Sequence, residues 1–239
     1  MPDDPLLRIL ARWSSDDGRA RTTRLCAVCA EITEMSGAGI MLMADDAPRG
    51  SVCSTNDVSA LIEELQYTFG EGPCVDAYRQ QRPIVEPDLA DPASPRWTAF
   101  SRPAVEAGAR AVFGFPITIG AARLGALNLY RDSTGPLTNT QHTDALVLSG
   151  VAARAIIAMQ AGAAPGDLGS ELQTGTNFQF VVHQAAGMVA VQIGVPVADA
   201  LVRLRAHAFS HDRLVADVAR DVVSGQLRFD DADDHTDPP

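Results

Sequence analysis

Residues 65–89 read LQYTFGEGPCVDAYRQQRPIVEPDL, and this stretch spans four predicted structural elements in succession. The overlapping stretch DVSALIEELQYTFG (57–70) has apolar residues on one helical face, and Asp57 can cap that helix. GEGPC (70–74) follows as a loop and leads into the short helix VDAYRQQ. RPIVEPDL (82–89) has the pattern of a short strand bounded by prolines. This part of the sequence therefore predicts helix, loop, helix and strand in that order.

Two predicted hairpins flank this region. The apolar runs GIMLMA (39–44) and SVCST (51–55) are separated by DDAPRG, in which Asp, Pro and Gly favour a turn. ARAVFGFPITIG (109–120) and RLGALNLYRD (123–132) are two further strands joined by a short turn. The long amphipathic helix TNTQHTDALVLSGVAARAIIAMQ (138–160) follows. An antiparallel sheet with helices on its faces, an α+β fold, is the simplest architecture for these elements.

The remaining segments divide the chain into five parts. Residues 1–34 suggest two helices separated by the polar stretch SSDDGR, and Thr22 or Thr23 can cap the second helix. AGAAPGDLGSELQTGTN is rich in Gly, Pro and small polar residues, which is typical of a linker. The predicted parts are an N-terminal helical segment (1–21), a sheet-containing domain (22–161), the linker (162–177), a small all-α domain (178–229) and an acidic tail (230–239).

Composition is typical of a soluble, acidic globular protein. The 239 residues carry a formal net charge of −11, and every basic residue is arginine. The chain has no unbroken apolar run of 18 residues and no basic, apolar leader, so we expect a cytoplasmic protein without a membrane partner. The negative charge argues against broad non-specific binding of nucleic acid. Residues 178–229 differ, with five arginines and three histidines against four aspartates, so a positive face is expected there.

The chain has four cysteines, and two of them form a C-x-x-C pattern at Cys26 and Cys29. This spacing occurs in zinc and redox sites. Here it lies on the predicted helix TTRLCAVCAEITEM (22–35), where positions three apart share a face, so two buried thiols are the favoured interpretation. A four-cysteine zinc site normally needs a second close pair, whereas Cys53 and Cys74 are far apart in sequence. No metal site is expected.

The middle of the chain resembles a GAF domain, of the kind that is fused to ANTAR domains. The resemblance covers about residues 22–160, and its motifs are GEGPC (70–74), Arg96-Trp97, Phe115-Pro116-Ile117 and Leu124-Gly125-Ala126-Leu127. It implies a sheet of about six antiparallel strands with a ligand pocket on one face. It also implies that two copies pair through the flanking helices.

Five residues are candidates for a ligand pocket or a redox site in this domain. Cys74 follows Gly-Pro at a predicted helix start, where amide dipoles stabilise a thiolate, and a small packed residue is the alternative. Four aromatic residues can line a pocket or belong to the core: Trp97, Phe100, Phe113 and Phe115. No histidine precedes His142, which argues against haem, and no cyclic-nucleotide signature is recognisable. We expect no cofactor, but a small-molecule ligand of unknown identity.

The stretch VVHQAAGMVAVQIGVP (181–196) opens the C-terminal domain and is apolar on more than one side. Such a helix must be covered on several sides, in part by its neighbours and in part by a partner chain. Gly194 is expected to end it. Asp212 can cap the third helix. The predicted core positions of the second and third helices are Val197, Leu201, Leu204, Ala208, Leu214, Val218 and Val222.

Residues 178–229 resemble the ANTAR domain, a three-helix RNA-binding module of transcription antiterminators. The matching positions are Gln184-Ala185-x-Gly187-Met188, Ala200-Leu201, Leu204-Arg205, Ala208, Leu214 and Val218-Ala219. The resemblance implies a dimer that binds paired stem-loops of nascent transcripts and prevents a terminator from forming. Many ANTAR domains have charged residues where this chain has Ala186, Val191 and Gln192, so its first helix offers fewer positive contacts.

Arginine side chains can stack on unpaired bases and contact phosphates, which suits such a target. The candidate RNA-binding residues are Arg203, Arg205, His207, Arg213 and Arg220. A solvated arginine face without any ligand is the alternative interpretation.

These features predict a regulator rather than an enzyme. The favoured function is that of a homodimeric RNA-binding antiterminator with a GAF domain that senses a signal. A second hypothesis is a dimeric sensor whose last helices bind a protein partner instead of RNA. A third is an enzyme, because one GAF lineage reduces free methionine sulfoxide with cysteines, although this chain has no matching cysteine pair.

Overall fold

The computed structural model describes residues 9, 12, 21–44, 47–91, 96–161 and 177–229. These residues belong to two compact units, which lie within residues 1–176 and 177–239. Most of the predicted N-terminal segment (1–21), linker residues 162–176 and the acidic tail (230–239) lie outside the described residues.

The first unit contains an antiparallel sheet. Its strands are β1 (Gly37–Ala44), β2 (Ala47–Ser54), β3 (Ile84–Glu86), β4 (Ala111–Ile119) and β5 (Ala122–Arg131), in the order β2-β1-β5-β4-β3. Both predicted hairpins are confirmed, because β1 pairs with β2 and β4 pairs with β5. The expectation of about six strands is corrected, since the described residues form five. Prolines at 83 and 87 flank β3, and proline cannot donate to a sheet ladder, which keeps this edge strand short.

Helices α1 (Arg21–Thr33) and α5 (Asn139–Gln160) cover one face of the sheet. Side chains alternate along a strand, so every second residue faces these helices. In β4 these are Phe113, Phe115 and Ile117, and all three are fully buried. They pack with Leu25 of α1 and Leu148 of α5 in the main apolar core of this unit.

Helix α5 begins at a reciprocal cap. The Thr138 hydroxyl accepts the Gln141 N–H (3.2 Å), and the Gln141 side chain accepts the Thr138 N–H (3.0 Å). Within the described residues, α5 has the length and apolar composition of a membrane span, which corrects the expectation that no segment would qualify. Its buried side chains belong to the main apolar core beside the sheet.

Three helices lie on the opposite side of the sheet. Helices α2 (Asp57–Phe69) and α3 (Pro73–Gln80) pack on the strands, and α4 (Thr98–Glu106) packs on α2. The cap of α2 is Asn56 rather than the predicted Asp57. The Asn56 side chain accepts the Ser59 N–H, and the Ser59 hydroxyl accepts the Asn56 N–H, both at 2.9 Å. Asp57 is therefore the first residue of the helix, one position inside its cap.

The cysteines depart from the sequence-based prediction. Cys26 of α1 forms a disulfide with Cys53 of β2, so the expectation of two free thiols in the C-x-x-C pattern is wrong. These residues are 27 positions apart, and only the packing of α1 on the sheet brings them together. Cys29 is a buried free thiol, and its burial raises its pKa to about 12.

The second unit consists of three helices, α6 (Asn177–Ile193), α7 (Val197–Ser210) and α8 (Val215–Val223), as predicted. Gly194 has φ 67 and ends α6, and the Val195 N–H donates to the Ala190 carbonyl (3.1 Å). The unit buries mainly alanine and valine side chains together with one leucine: Val182, Ala185, Ala186, Val189, Ala200, Leu204, Ala208, Val215, Ala216, Val218, Ala219 and Val222.

Two predicted details of this unit are wrong. Val197 is 51% exposed, and Ala200 takes its place in the core with Leu204 and Ala208. This shift occurs because the buried stripe of α7 runs through every fourth residue from position 200, and Val197 lies off that stripe. Asp212 does not cap α8, because Leu214 precedes the helix and no side chain caps it.

Candidate functional site

The GEGPC loop (70–74) connects three helices of the first unit. Gly70 ends α2 in the left-handed conformation (φ 65). The Glu71 carboxylate accepts the N–H groups of Ala99 (2.6 Å) and Phe100 (2.9 Å), so it satisfies donors in the first turn of α4. The loop thus holds α4 at the junction between α2 and α3.

Cys74 lies at the second residue of α3 and is fully buried. Its N–H donates to Gln66 Oε1 (2.7 Å), and its Sγ lies 4.0 Å from the carbonyl oxygen of Ala126. Burial raises the pKa of Cys74 well above its usual value, the charge of Glu63 raises it further, and Gln66 offsets part of the rise. The thiolate is disfavoured despite the helix start, so this environment favours a packing role over redox sensing.

Buried polar side chains adjoin Cys74 between α2 and the sheet. This polar cluster consists of Ser51 of β2, Glu63 and Gln66 of α2, and Asn128 of β5. Glu63 is fully buried, and that burial raises its pKa to about 8, while Ser51 and Asn128 offset part of the rise. At neutral pH the buried carboxyl group is therefore mostly protonated, because its charged form is poorly solvated.

Two glycines allow α2 and α3 to approach the sheet beside Asn128. The strand register places Gly39 and Gly114 directly opposite Asn128, one on each neighbouring strand. A Cβ atom at Gly39 would lie 2.6 Å from Glu63 Oε1, and one at Gly114 would lie 2.2 Å from the Pro73 carbonyl oxygen. Both distances are too short for any side chain. These glycines therefore determine how closely the helices enclose the polar cluster.

Five polar atoms of the cluster lack a hydrogen-bond partner among the described residues. They are both carboxyl oxygens of Glu63, Oδ1 and Nδ2 of Asn128, and Nε2 of Gln66. Ser51 and Asn128 both lie close enough to Glu63 to lower its pKa, but the Ser51 hydroxyl donates to the Cys53 carbonyl (3.1 Å) and the Asn128 amide lacks the geometry of a hydrogen bond to Glu63. An unpaired buried polar group costs about 1–3 kcal/mol, and native proteins contain few of them. The cluster therefore contains both buried donors and buried acceptors that are unpaired among the described residues.

A second group of polar contacts surrounds Arg96 and Trp97. The guanidinium of Arg96 lies 3.3 Å from Asp76 and 3.6 Å from Glu86, and it stacks 4.3 Å above the Trp97 ring. The Trp97 indole N–H donates to Asp76 (3.0 Å). Trp97 has φ 53, which is rare for a bulky residue, and these contacts hold it there. Within the described residues, no three His, Cys, Asp or Glu side chains are grouped to hold a metal ion.

The four aromatic candidates do not form one pocket. Trp97 and Phe100 pack edge to face at 5.8 Å. Phe113 and Phe115 lie in the core against α1 and α5, on the face of the sheet opposite the polar cluster. Sequence reasoning missed Ser51, Glu63, Gln66 and Asn128, although an asparagine inside the apolar strand LGALNLY was a usable signal.

The candidate RNA-binding residues of the second unit differ in accessibility. Arg203 on α7 is exposed and makes no ion pair within the described part of the chain. Arg205 and His207 are half-buried, and the His207 ring stacks on His211 (4.0 Å) and contacts Phe229 (5.3 Å). The remaining two arginines form ion pairs with aspartates of α8, which reduces the positive charge they offer: Arg213, which precedes α8, with Asp221 (2.7 Å), and Arg220 with Asp217.

A family model for the GAF domain matches residues 21–158, which is more than half of the chain. The matched range contains the whole sheet, the GEGPC loop and the polar cluster, and it ends before the second unit. No curated protein matches the chain.

Several solved structures of low sequence identity are similar to part of this chain. The GAF domain of a phosphoenolpyruvate-protein phosphotransferase from Acinetobacter is 13% identical, with a TM-score of 0.50 over 67% of this chain and 98% of that one. The corresponding domain from Coxiella burnetii is 14% identical, with a TM-score of 0.49 over 66% and 93%. A free methionine-R-sulfoxide reductase from Neisseria meningitidis is 17% identical, with a TM-score of 0.43 over 63% and 85%.

Proposed function

Because the chain belongs to the GAF domain family, a family of signal-sensing modules in regulators, we propose that it is a cytoplasmic regulator that senses a small polar ligand at the polar cluster. The C-terminal unit acts as its output by binding stem-loop RNA in nascent transcripts and so controls transcription termination. The unpaired buried atoms of Glu63, Gln66 and Asn128 are the observation that supports the sensing step. The sequence resemblance to ANTAR domains supports the output.

The chemistry of the polar cluster defines the class of ligand. The Asn128 amide offers a donor beside an acceptor, the Gln66 amide offers a donor, and the Glu63 carboxyl can accept. A compact group with a donor next to an acceptor, such as an amide or a nucleobase edge, complements this set. Its binding would pair groups that the folded chain leaves unpaired, so it would stabilise the first unit.

Thermal unfolding of the full chain tests this sensing step. The probes are free amino-acid amides and nucleobases, and a binding compound raises the Tm of the wild-type chain. A compound present at 100 times its Kd adds about 2.7 kcal/mol of stability. Glu63→Gln and Asn128→Leu should abolish the response, whereas Leu146→Ala, at an exposed position of α5, should retain it. An equal response in all four chains would place binding elsewhere.

The proposed output depends mainly on Arg203, because the other arginines of the set are half-buried or paired with aspartates. The full chain should bind a tandem stem-loop RNA, and its affinity should fall as salt rises, since phosphate contacts release counterions. Arg203→Ala should weaken binding several-fold. Arg102→Ala removes an equally charged, exposed residue from α4 and should leave binding unchanged. Equal affinity of wild type and Arg203→Ala would remove Arg203 from the interface.

Experiments on the same full chain also test the two alternative functions, a protein-binding module and a reductase. If the C-terminal unit binds a protein rather than RNA, the chain ignores the tandem stem-loop at low salt. If the chain is a reductase, it consumes free methionine sulfoxide in the presence of a thiol reductant, and Cys74→Ser abolishes that turnover. The buried, protonated state of Cys74 disfavours the reductase, because a thiolate is the usual nucleophile.

A further inference from the structure

A disulfide ties helix α1 to the edge of the sheet. Cys26 of α1 is bonded to Cys53 of β2, and β2 lies at one end of the five-stranded order. Such bonds are rare in the cytoplasm, where reductants keep most thiols reduced, and those that do occur there are usually redox-sensing or catalytic. A cytoplasmic location, as proposed above, therefore places this bond in contact with cellular dithiols.

A β-bulge lies between the disulfide and the polar cluster. Two adjacent residues of β1 lie opposite Cys53 and Ser51, so Val52 is one extra residue in β2. Residues that are two apart in a regular strand face the same side of the sheet. Because of the extra residue, Cys53 joins the apolar core beneath α1, while Ser51 lies beside Glu63 on the opposite side.

One hydrogen bond spans this bulge. The Ser51 hydroxyl donates to the Cys53 carbonyl oxygen (3.1 Å), and the same hydroxyl lies close enough to Glu63 to lower its pKa. A hydroxyl group has a single proton to donate, so it serves either the Cys53 carbonyl or the Glu63 carboxyl. The position of the Cys53 backbone therefore determines which of the two groups Ser51 serves.

We infer that Cys26 and Cys53 are a reversible redox pair whose state is transmitted to the polar cluster through Ser51. In the oxidised chain the disulfide fixes Cys53 to α1, and Ser51 donates to the Cys53 carbonyl. Reduction removes this constraint from the edge strand, and β2 relaxes at the bulge. The Ser51 hydroxyl then turns to Glu63, because the buried carboxyl oxygens have no hydrogen-bond partner among the described residues.

The chemistry is thiol–disulfide exchange with a dithiol reductant such as reduced thioredoxin. Cys53 retains 6% exposure and Cys26 retains none, so the reductant's thiolate attacks the Cys53 sulfur. This attack forms a mixed disulfide and breaks the bond to Cys26, which leaves as a thiolate and takes up a proton. The second thiol of the reductant loses its proton and displaces Cys53, which is protonated in turn. Two electrons pass to the pair, and the reductant leaves as a disulfide.

The redox state sets how much of the polar cluster is paired from within the chain. A ligand that needs the Glu63 carboxyl binds the oxidised chain more tightly, because Ser51 occupies that carboxyl after reduction. This consequence rests on the proposed ligand sensing. Reduction of the pair and the ionisation of Glu63 can both be measured without ligand or RNA, so their outcome is separate from that of the proposed function.

Thiol counting in the full chain tests the redox pair. The folded chain is treated with thioredoxin, thioredoxin reductase and NADPH, and is then unfolded and alkylated for intact-mass measurement. We expect two labels before treatment, on Cys29 and Cys74, four after it, and two again after reoxidation with oxidised glutathione. Circular dichroism should stay unchanged throughout. Two labels after treatment, or a reduced chain that unfolds, would show that the disulfide is purely structural.

Urea unfolding of the oxidised and the reduced chain tests the transmission to Glu63. A donated hydrogen bond favours the ionised carboxylate, so the stability lost between pH 4.5 and pH 7.5 should be about half as large after reduction. The disulfide's own contribution to stability is nearly constant over this pH range and cancels in the comparison. Cys74 of α3 is a titratable neighbour of Glu63, and its raised pKa keeps it protonated over the same range.

Two variants separate this route from a general effect of reduction. Ser51→Ala removes the hydroxyl, so its pH-dependent loss should be the same in both redox states. Cys29→Ala removes a free thiol one helical turn from Cys26 and should retain the wild-type difference. An equal loss in oxidised and reduced wild type, or a difference that survives Ser51→Ala, would overturn the inference.

Discussion

The two units of this protein depart from ordinary burial in opposite directions. The GAF domain encloses polar atoms of Glu63, Gln66 and Asn128 without hydrogen-bond partners among the described residues. The C-terminal unit exposes Phe180 and Val191 to solvent. Neither arrangement improves the stability of an isolated chain, since unpaired buried polar groups and exposed apolar groups both cost free energy. We propose that each feature serves binding, to a small polar ligand in one unit and to another macromolecule in the other.

The largest expected effect that tests this contrast is the pH dependence of Glu63. Its pKa is raised to about 8 in the folded chain from its ordinary value of 4.5, so the folded state binds a proton more tightly than the unfolded state. The contribution of protonated Glu63 to the free energy of unfolding is therefore fully present below pH 4.5. It falls by on the order of 4–5 kcal/mol as the pH rises to 8. Glu63→Gln should remove this loss. Urea unfolding of both chains from pH 4.5 to 8 measures it, and parallel curves would show that Glu63 is not enclosed.

A second prediction concerns the close approach of α3 to the sheet. Gly114→Ala should destabilise the chain by about 3 kcal/mol, because the added carbon meets the backbone carbonyl of Pro73, which cannot move away without shifting α3. Gly150→Ala on α5 is the control, since its added carbon meets nothing within 4 Å. Equal Tm values for the two variants would mean that α3 does not press on the polar cluster.

A smaller effect is expected at the cap of α2, the helix that carries Glu63 and Gln66. Asn56→Ala should cost about 1 kcal/mol, because Asn56 accepts the Ser59 N–H and also accepts from the Tyr130 hydroxyl (3.1 Å). Asp57→Ala should cost little, since its side chain does not cap the helix. Chemical unfolding distinguishes them, and the reverse order would restore the sequence-based choice of Asp57.

The smallest effect is expected at Gly187 of helix α6. Gly187→Ala should stabilise dilute, monomeric protein by about 0.5–1 kcal/mol, because alanine favours the helix and its methyl group enters open space. A loss of stability under these conditions would show that the chain itself requires the glycine, and the contrast between the two units would weaken.

Sequence patterns predicted most of the elements but not the polar cluster. The hairpins and the C-terminal helices follow from apolar periodicity and turn residues, which act locally. The sequence predicted one buried apolar face for α2. Ser59, Glu63 and Gln66 lie on a second face of this helix, and that face is also buried. This helix is enclosed on two sides, by the sheet and by α4, and a single amphipathic pattern describes only one.

Long-range contacts explain the other differences. The disulfide between Cys26 and Cys53 depends on tertiary packing, whereas the C-x-x-C pattern is local and suggested a pair within one helix. The ion pairs of Arg213 and Arg220 form because aspartates lie eight and three residues away on the folded α8 region. The sequence set five arginines against four aspartates in residues 178–229, but it did not show which of these charges pair.

Sequencing of the RNA crosslinked to this protein in its own cell is the most direct test of the proposed RNA output. We expect enrichment of tandem stem-loops upstream of transcription terminators, with clear loss of that enrichment in an Arg203→Ala strain that produces the same amount of protein. Recovered RNA that matches the cellular background, in the wild type as in the variant, would contradict the proposed RNA output.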